Sequence, residues 1–113
     1  MTLRQLLLPY ISALLLAAVG PCMSHANAVS GASTIVMAKD FMFAPTALSV
    51  AAGSTVTWTN SDDEPHTVVS ESGLFRSGAL DTNESFSFRF DKPGTYRYTC
   101  SIHPRMVGTI IVQ

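Results

Sequence analysis

The chain has 113 residues, enough for one small domain, and its charges nearly balance, with seven Lys and Arg against eight Asp and Glu. A near-neutral chain without a basic cluster lacks the composition of a nucleic-acid-binding protein, so we predict no nucleic-acid partner. With only two cysteines, the chain also cannot form the several disulfides on which many small secreted domains depend.

The N-terminal segment has the pattern of a removable export signal. After Arg4, residues 6–19 form an apolar run that is shorter than the roughly 20 residues needed to span a bilayer. Small residues at 26–28 stand where a signal peptidase cleaves. We therefore predict a signal peptide over residues 1–28 and a periplasmic domain over residues 29–113, without stable membrane insertion after cleavage. An uncleaved N-terminal anchor is the alternative.

The exported part is patterned as β-strand throughout. Alternation of polar and apolar residues places Val56 and Trp58 on one face of a strand. Short runs of this kind, separated by Gly, Pro, Asn and Asp, and no helical period after the signal, indicate an antiparallel or mixed β-sandwich of six to eight strands. The predicted strands cover residues 33–37, 48–50, 54–59, 66–70, 86–90, 96–100 and 108–112, and residues 71–83 form an irregular loop.

One cysteine, Cys100, remains after the signal is removed, and it is unpaired in an oxidising compartment. The alternation that buries Tyr96 and Tyr98 turns its side chain inward at a strand end. His103 and Met106 follow three and six residues later. One tight loop can therefore present a thiolate, an imidazole and a thioether together.

A second histidine, His66, lies near the start of another predicted strand, where the preceding proline favours an extended backbone. Two imidazoles, a thiolate and a thioether suit a mononuclear copper centre with a trigonal His₂Cys plane and a long axial Met. We therefore predict that His66, Cys100, His103 and Met106 bind one copper ion per chain, and that the protein carries single electrons.

Four segments resemble those of the small blue-copper cupredoxins, in particular the amicyanin and plastocyanin group. They are KDFMFAP at 39–45, AGSTVTWTN at 52–60, PHT at 65–67 and GTYRYTC at 94–100, followed by the loop to Met106. The short Cys-x-x-His-x-x-Met spacing resembles amicyanin specifically. Thr67 stands where this group commonly has asparagine, and its hydroxyl is a candidate to brace the loop that carries Ser101.

The resemblance implies an all-β Greek-key β-sandwich of about seven to eight strands that works as a monomeric electron carrier. It implies His66, Cys100 and His103 as equatorial ligands, Met106 as the axial ligand, and His103 as the electron port. By position we assign Met42, Phe43, Pro65 and Pro104 to an apolar docking surface around that histidine. An amicyanin-like loop also implies redox-protein partners such as a cytochrome c and an amine dehydrogenase.

Other functions fit the same residues less well. A cysteine hydrolase needs a base and an orienting third group beside its nucleophile, and no such group follows Cys100 and His103 nearby. A structural zinc site favours four Cys or His donors, whereas the fourth donor here is a thioether. We therefore predict that the protein is not an enzyme. The alternative function is a copper carrier, or metallochaperone, that delivers copper to another protein.

Overall fold

The computed structural model describes residues 17, 18, 20 and 34–113. The described residues contain eight strands and no helix, which confirms the all-β prediction. The strands are β1 (Ile35–Lys39), β2 (Met42–Ala44), β3 (Ala47–Val50), β4 (Ser54–Asn60), β5 (Val69–Ser70), β6 (Ser85–Phe90), β7 (Gly94–Thr99) and β8 (Val107–Val112). The predicted signal peptide, residues 1–28, lies almost wholly outside the described residues. Within the described part of the chain, no helix has the length and apolar character needed to cross a membrane.

The strands form two four-stranded mixed sheets. One sheet has the order β2-β1-β4-β6 and the other has the order β3-β8-β7-β5. The pairs β1–β4 and β3–β8 are parallel, and the other four pairs are antiparallel. This arrangement is the mixed β-sandwich of seven to eight strands that the sequence predicts.

The core lies between the two sheets and consists largely of aromatic side chains. Val56 and Trp58, on the inner face of β4, are fully buried, as their alternation predicts. Trp58 packs edge-to-face on Tyr98 of β7, with ring centroids 5.3 Å apart, which joins the two sheets. Each such buried side chain contributes roughly 1.5–3 kcal/mol to stability by removal of apolar surface from water.

Two elements differ substantially from the predicted strands, whereas the bounds of the others shift by at most two residues. The strand predicted over residues 66–70 is reduced to β5, because His66 pairs only with Leu80 in an isolated bridge and not with a neighbouring strand. Strand β2 was not predicted, since three residues between two turns are too few for a period-two signal. Both differences lie beside the predicted copper ligands.

The register of the sheets brings three loops to one end of the sandwich. Because β1 and β4 are parallel, with Ala38 opposite Asn60, the turn after β1 and the segment after β4 leave the sheet together. In the second sheet Thr99 pairs with Val107, so residues 100–106 form the connection between β7 and β8. Side-chain contacts among these loops create the candidate site.

Candidate metal centre

The loop between β7 and β8 is closed by hydrogen bonds within its own backbone. The Cys100 N–H donates to the Met106 carbonyl at 3.0 Å, and the Met106 N–H donates to the His103 carbonyl at 2.9 Å. The first bond extends the β7–β8 ladder by one step beyond its last strand pair, and the second closes a turn within the loop. All three donor residues of the loop are therefore fixed relative to the sheet.

Thr67 fastens this loop to the segment after β4. Its backbone N–H donates to Cys100 Sγ at 3.3 Å, and its Oγ1 accepts the Ser101 N–H at 2.7 Å. The Thr67 and Ser101 hydroxyls also lie 2.8 Å apart. The hydroxyl of Thr67 thus braces the loop that carries Ser101, as the sequence suggested.

His66 is buried and its backbone is held by two hydrogen bonds with Leu80, of 3.1 and 2.7 Å. Its Nε2 lies 2.7 Å from Asp62 Oδ2. When Nε2–H donates to that carboxylate, the neutral imidazole carries its lone pair on Nδ1. The carboxylate therefore sets the tautomer that directs a metal-binding nitrogen toward the other donors.

Three predicted donor atoms meet at this end of the sandwich. The Nδ1 atoms of His66 and His103 are 3.2 Å apart, and Cys100 Sγ lies 3.8 and 3.7 Å from them, respectively. A first-row metal ion in the plane of such a set, about 2.0–2.3 Å from each donor, separates the donors by roughly 3.5–3.9 Å. The two sulfur–nitrogen sides fall in this range and the 3.2 Å nitrogen–nitrogen side is slightly shorter, so the triangle has the size for one ion, and its donors suit copper's preference for soft ligands.

Met106, the fourth predicted donor, is buried in the same loop. Together with His103 it lines a cavity of about 380 Å³ at the rim of the triangle. The lining of this cavity is completed by exposed side chains, namely Phe41, Ile102, Pro104 and Arg105. Met106 therefore lies at the same end of the sandwich as the three donor atoms.

The predicted apolar surface around His103 needs one correction. Phe43 is only 1% exposed, because it is the inward residue of β2 and packs on the Tyr98 ring at 4.7 Å. It belongs to the core and not to the surface. Of the other residues assigned to this surface, Met42 (61%) and Pro104 are exposed and Pro65 is half-buried. Phe41 (50%) and Ile102 (47%) are further exposed apolar residues that were not assigned to it.

Two residues of the site were missed by the sequence analysis, namely Asp62 and Phe41. The Phe41 ring lies edge-on to both imidazoles, with centroids 5.6 Å from His66 and 5.0 Å from His103. Burial raises the pKa of Asp62, but hydrogen bonds from the Phe41 N–H, His66 and the Asp40 N–H lower it below its ordinary 3.8. The sequence signal was present only as the four-residue spacing between Asp62 and His66, which is not specific.

The environment of Cys100 favours its thiolate. Burial raises the pKa of the thiol, but the Thr67 N–H, the adjoining imidazoles of His66 and His103, and the Ile102 N–H together outweigh that effect. The pKa of Cys100 is lowered from 9.0 to about 6. Because the thiolate is the metal-binding form, this lowering prepares the sulfur for a metal near neutral pH.

The lowered pKa makes a prediction for the metal-free protein. Its thiolate ultraviolet absorbance should titrate with a midpoint of about pH 6, whereas the denatured chain should titrate near the ordinary value. Because the pKa of Cys100 is lower in the folded than in the unfolded state, its thiolate stabilises the fold, and this contribution is fully present above the unfolded-state pKa. The contribution is lost as the pH falls through about 6. The stability of the metal-free protein should therefore decline across that range. A folded-state midpoint near pH 9 would contradict the hydrogen-bonding account.

The site consists of two imidazole nitrogens and one thiolate sulfur, held in a triangle at one end of a β-sandwich. This donor set defines the class of proteins that bind a soft metal such as copper. The chain belongs to the cupredoxin-like domain family, which matches residues 11–112. It is similar to amicyanin-alpha of Methylorubrum extorquens, with 36% identity over 92 residues that cover 77% of this chain and 76% of the relative. It is also similar to plastocyanin of Scenedesmus fuscus, with 39% identity over 85 residues that cover 64% and 87%, respectively.

Solved structures agree with this assignment. A purple cupredoxin from Nitrosopumilus maritimus superposes with a TM-score of 0.68 at 33% identity, and the match covers 72% of this chain and all of that one. A Cu(I) form of a mutant amicyanin gives a TM-score of 0.68 at 29% identity, with 73% and 83% coverage. The chain is therefore a small blue-copper cupredoxin, and its class is that of type 1 copper electron-transfer proteins. The sequence predictions of fold, family, cofactor and electron transport are confirmed.

Proposed function

We propose that residues 29–113 form a periplasmic single-electron carrier that holds one copper ion through His66, Cys100 and His103, with Met106 as a weak axial ligand. The observation that carries this proposal is the triangle of donor atoms, with sides of 3.2, 3.7 and 3.8 Å. The apolar N-terminal run supports the periplasmic location, since it has the pattern of an export signal.

When bound, copper supplies one-electron chemistry between its Cu(I) and Cu(II) states. The protein's part is to keep the donor atoms in nearly the same positions in both states, so that little rearrangement accompanies electron transfer. Thr67 holds the Cys100 sulfur through its backbone N–H, and Asp62 holds the His66 ring. The loop backbone fixes the remaining donors, because it is closed by hydrogen bonds at both of its ends.

His103 is the proposed electron port. It is partly buried, whereas His66 and Cys100 are fully buried, so its ring edge offers the shortest route to a docked partner. The exposed side chains of Phe41, Met42, Ile102 and Pro104 surround this end of the molecule and form the proposed docking surface. An apolar surface of this kind suits brief association with a redox protein.

The proposed partners are a protein that donates the electron and a protein that accepts it. The similarity to amicyanin supports an amine dehydrogenase and a cytochrome c as the candidates. The proposed carrier is a monomer. It has no chemical substrate of its own in this proposal, because the thiolate and both imidazoles are committed to the metal.

Copper delivery to another protein is the less favoured function. A copper carrier that releases its metal to a partner needs exposed and exchangeable donors, whereas Cys100 and His66 are fully buried. Their hydrogen bonds to Thr67 and Asp62 also resist the movement that transfer to a partner requires.

The test is voltammetry and electron paramagnetic resonance of the Cu(II)-loaded domain, with Met106→Leu beside Met42→Leu. We expect a reversible one-electron couple whose potential rises in Met106→Leu by on the order of 60 mV, equivalent to a tenfold shift in equilibrium, because Cu(II) loses a weak electron donor. Met42→Leu changes an exposed thioether and should leave the potential unchanged. Equal potentials in both variants would refute Met106 as a ligand. Copper that a chelator removes within minutes would refute the electron-carrier function.

A further inference from the structure

The connection between β1 and β2 adopts a backbone conformation that its residues disfavour. Lys39 pairs with Met42, so only Asp40 and Phe41 lie in the turn. Both have positive φ, 54° and 57°, which is the pattern of a two-residue type I′ hairpin turn. That turn favours Asn and Gly, and an aromatic residue in the left-handed region costs roughly 1–2 kcal/mol. An interaction elsewhere must stabilise this turn.

The stabilising group is the carboxylate of Asp62. Its Oδ1 accepts the Asp40 N–H at 2.7 Å, and its Oδ2 accepts the Phe41 N–H at 3.1 Å. Oδ2 is also the atom that lies 2.7 Å from His66 Nε2. One carboxylate therefore joins the disfavoured turn to a proposed copper ligand.

Asp62 is itself held in place from two sides. Its backbone N–H donates to Asn60 Oδ1 at 2.8 Å, and its carbonyl accepts the Thr82 hydroxyl at 2.6 Å. The backbone that carries the carboxylate is therefore held in place, and the carboxylate anchors the turn from that position.

The consequence of the turn is the position of the Phe41 ring. The ring stands edge-on to both imidazoles and lines the cavity beside His103 and Met106, while half of its surface faces solvent. It therefore lies between the two histidines and the surrounding water. A half-exposed aromatic residue gains little stability there, so the strained turn is best explained by what the ring covers.

We propose that Asp62 is a positioning residue that holds Phe41 as a cover over the histidine pair, so that small external ligands do not reach the metal. The inference rests on the proposed function, since the ligand that Asp62 orients is taken to bind copper. A single carboxylate thereby fixes both the direction of His66 Nδ1 and the position of the Phe41 ring that covers it.

The first test uses the metal-free domain, because it does not depend on copper chemistry. We expect Asp62→Ala and the milder Asp62→Asn to lose the nuclear Overhauser contacts between the Phe41 ring and both imidazoles, and to lose hydrogen-exchange protection at the Asp40 and Phe41 amides. Asp63→Ala, which changes an exposed neighbouring carboxylate, should keep both. Retention of the ring contacts in both Asp62 variants would overturn the proposal.

The second test adds Cu(II) and then azide as a small anionic probe. Asp62→Ala should weaken Cu(II) binding roughly 10–100-fold, as loss of a carboxylate behind a histidine ligand does. Azide should perturb the Cu(II) spectrum in Asp62→Ala and in Phe41→Ala but not in the unmodified protein. The double variant should bind azide no more tightly than Phe41→Ala, because both changes remove the same cover. Azide binding that is unaffected by Phe41→Ala would overturn the role of the ring.

The two proposals can fail separately. If the unmodified protein gave no type 1 copper spectrum, the proposed function would fail, yet loss of the ring contacts in the metal-free Asp62 variants would still support the positioning role. If the copper spectrum were normal and the ring contacts survived in both variants, only the role of Asp62 would fail.

Discussion

Replacing Cys100 with serine is expected to abolish the intense visible absorption of the Cu(II)-loaded domain and to leave the β-sandwich folded. The absorption requires charge transfer from a thiolate sulfur to copper, and Cys100 is the one free thiol among the described residues. A hydroxyl is a harder donor that is not ionised near neutral pH. Copper should therefore be bound weakly, with the wide hyperfine splitting of an ordinary Cu(II) complex, as measured by visible and electron paramagnetic resonance spectra.

Ile102→Ser is the matched control for this prediction. It introduces the same serine into the same loop at a residue that is 47% exposed and that is not among the proposed ligands. The blue colour and narrow hyperfine splitting should persist in this variant. Persistence of the intense band in Cys100→Ser would show that the sulfur is not a ligand, and equal loss in both variants would indicate damage to the loop.

Replacing Gly108 with alanine should produce the largest loss of stability among the Gly→Ala changes at the described glycines. Tyr98 and Gly108 are paired across β7 and β8, and the Tyr98 ring lies over the glycine. A Cβ atom at position 108 would stand 2.3 Å from both the Cζ atom and the hydroxyl oxygen of Tyr98. Because Tyr98 is fully buried between the sheets, its ring cannot move aside, and overpacking of this kind costs roughly 3 kcal/mol. For a domain of this size, the melting temperature should fall by more than about 10 °C.

Gly78→Ala provides the control, since a Cβ atom at that position meets no atom within 4 Å. It should change the melting temperature little in either direction. A double variant that combines Gly108→Ala with Tyr98→Leu should lose less stability than the sum of the two single changes, because the clash is removed with the ring. Additive losses, or a Gly108→Ala protein as stable as Gly78→Ala, would show that the ring does not limit this position.

Much of the fold could be predicted because strands with one buried face show a clear alternation of polar and apolar residues. Val56 and Trp58 alternate with polar threonines, and both are fully buried, as period two requires. The bound of β4 at Ser54 was also predicted, since a glycine and a polar cluster delimit the run. Strands β2 and β5 were missed or misplaced because they contain only three and two residues, and their extent depends on pairing partners that are distant in sequence.

The loop donors of the candidate site could be predicted for a different reason. Cys100, His103 and Met106 lie within seven consecutive residues, so a short loop brings them together whatever the remainder of the fold does. His66 could be named as the fourth donor because it is the one other histidine of the predicted exported domain and completes a copper donor set, but nothing in its local sequence places it across the sandwich from Cys100. The structure brings its Nδ1 to 3.2 Å from that of His103.

The sequence by itself determined the β class of the domain, the identity of the four candidate donors and the soft-metal chemistry that they support. Tertiary structure decided which aromatic residues face the site, since Phe43 enters the core and Phe41 turns over the histidines. It also decided that Asp62 joins the β1–β2 turn to His66. The physical reason is that strand alternation and loop spacing are local properties of the chain. The contacts of a carboxylate with residues about twenty positions away arise only when the sheet register brings their backbones together.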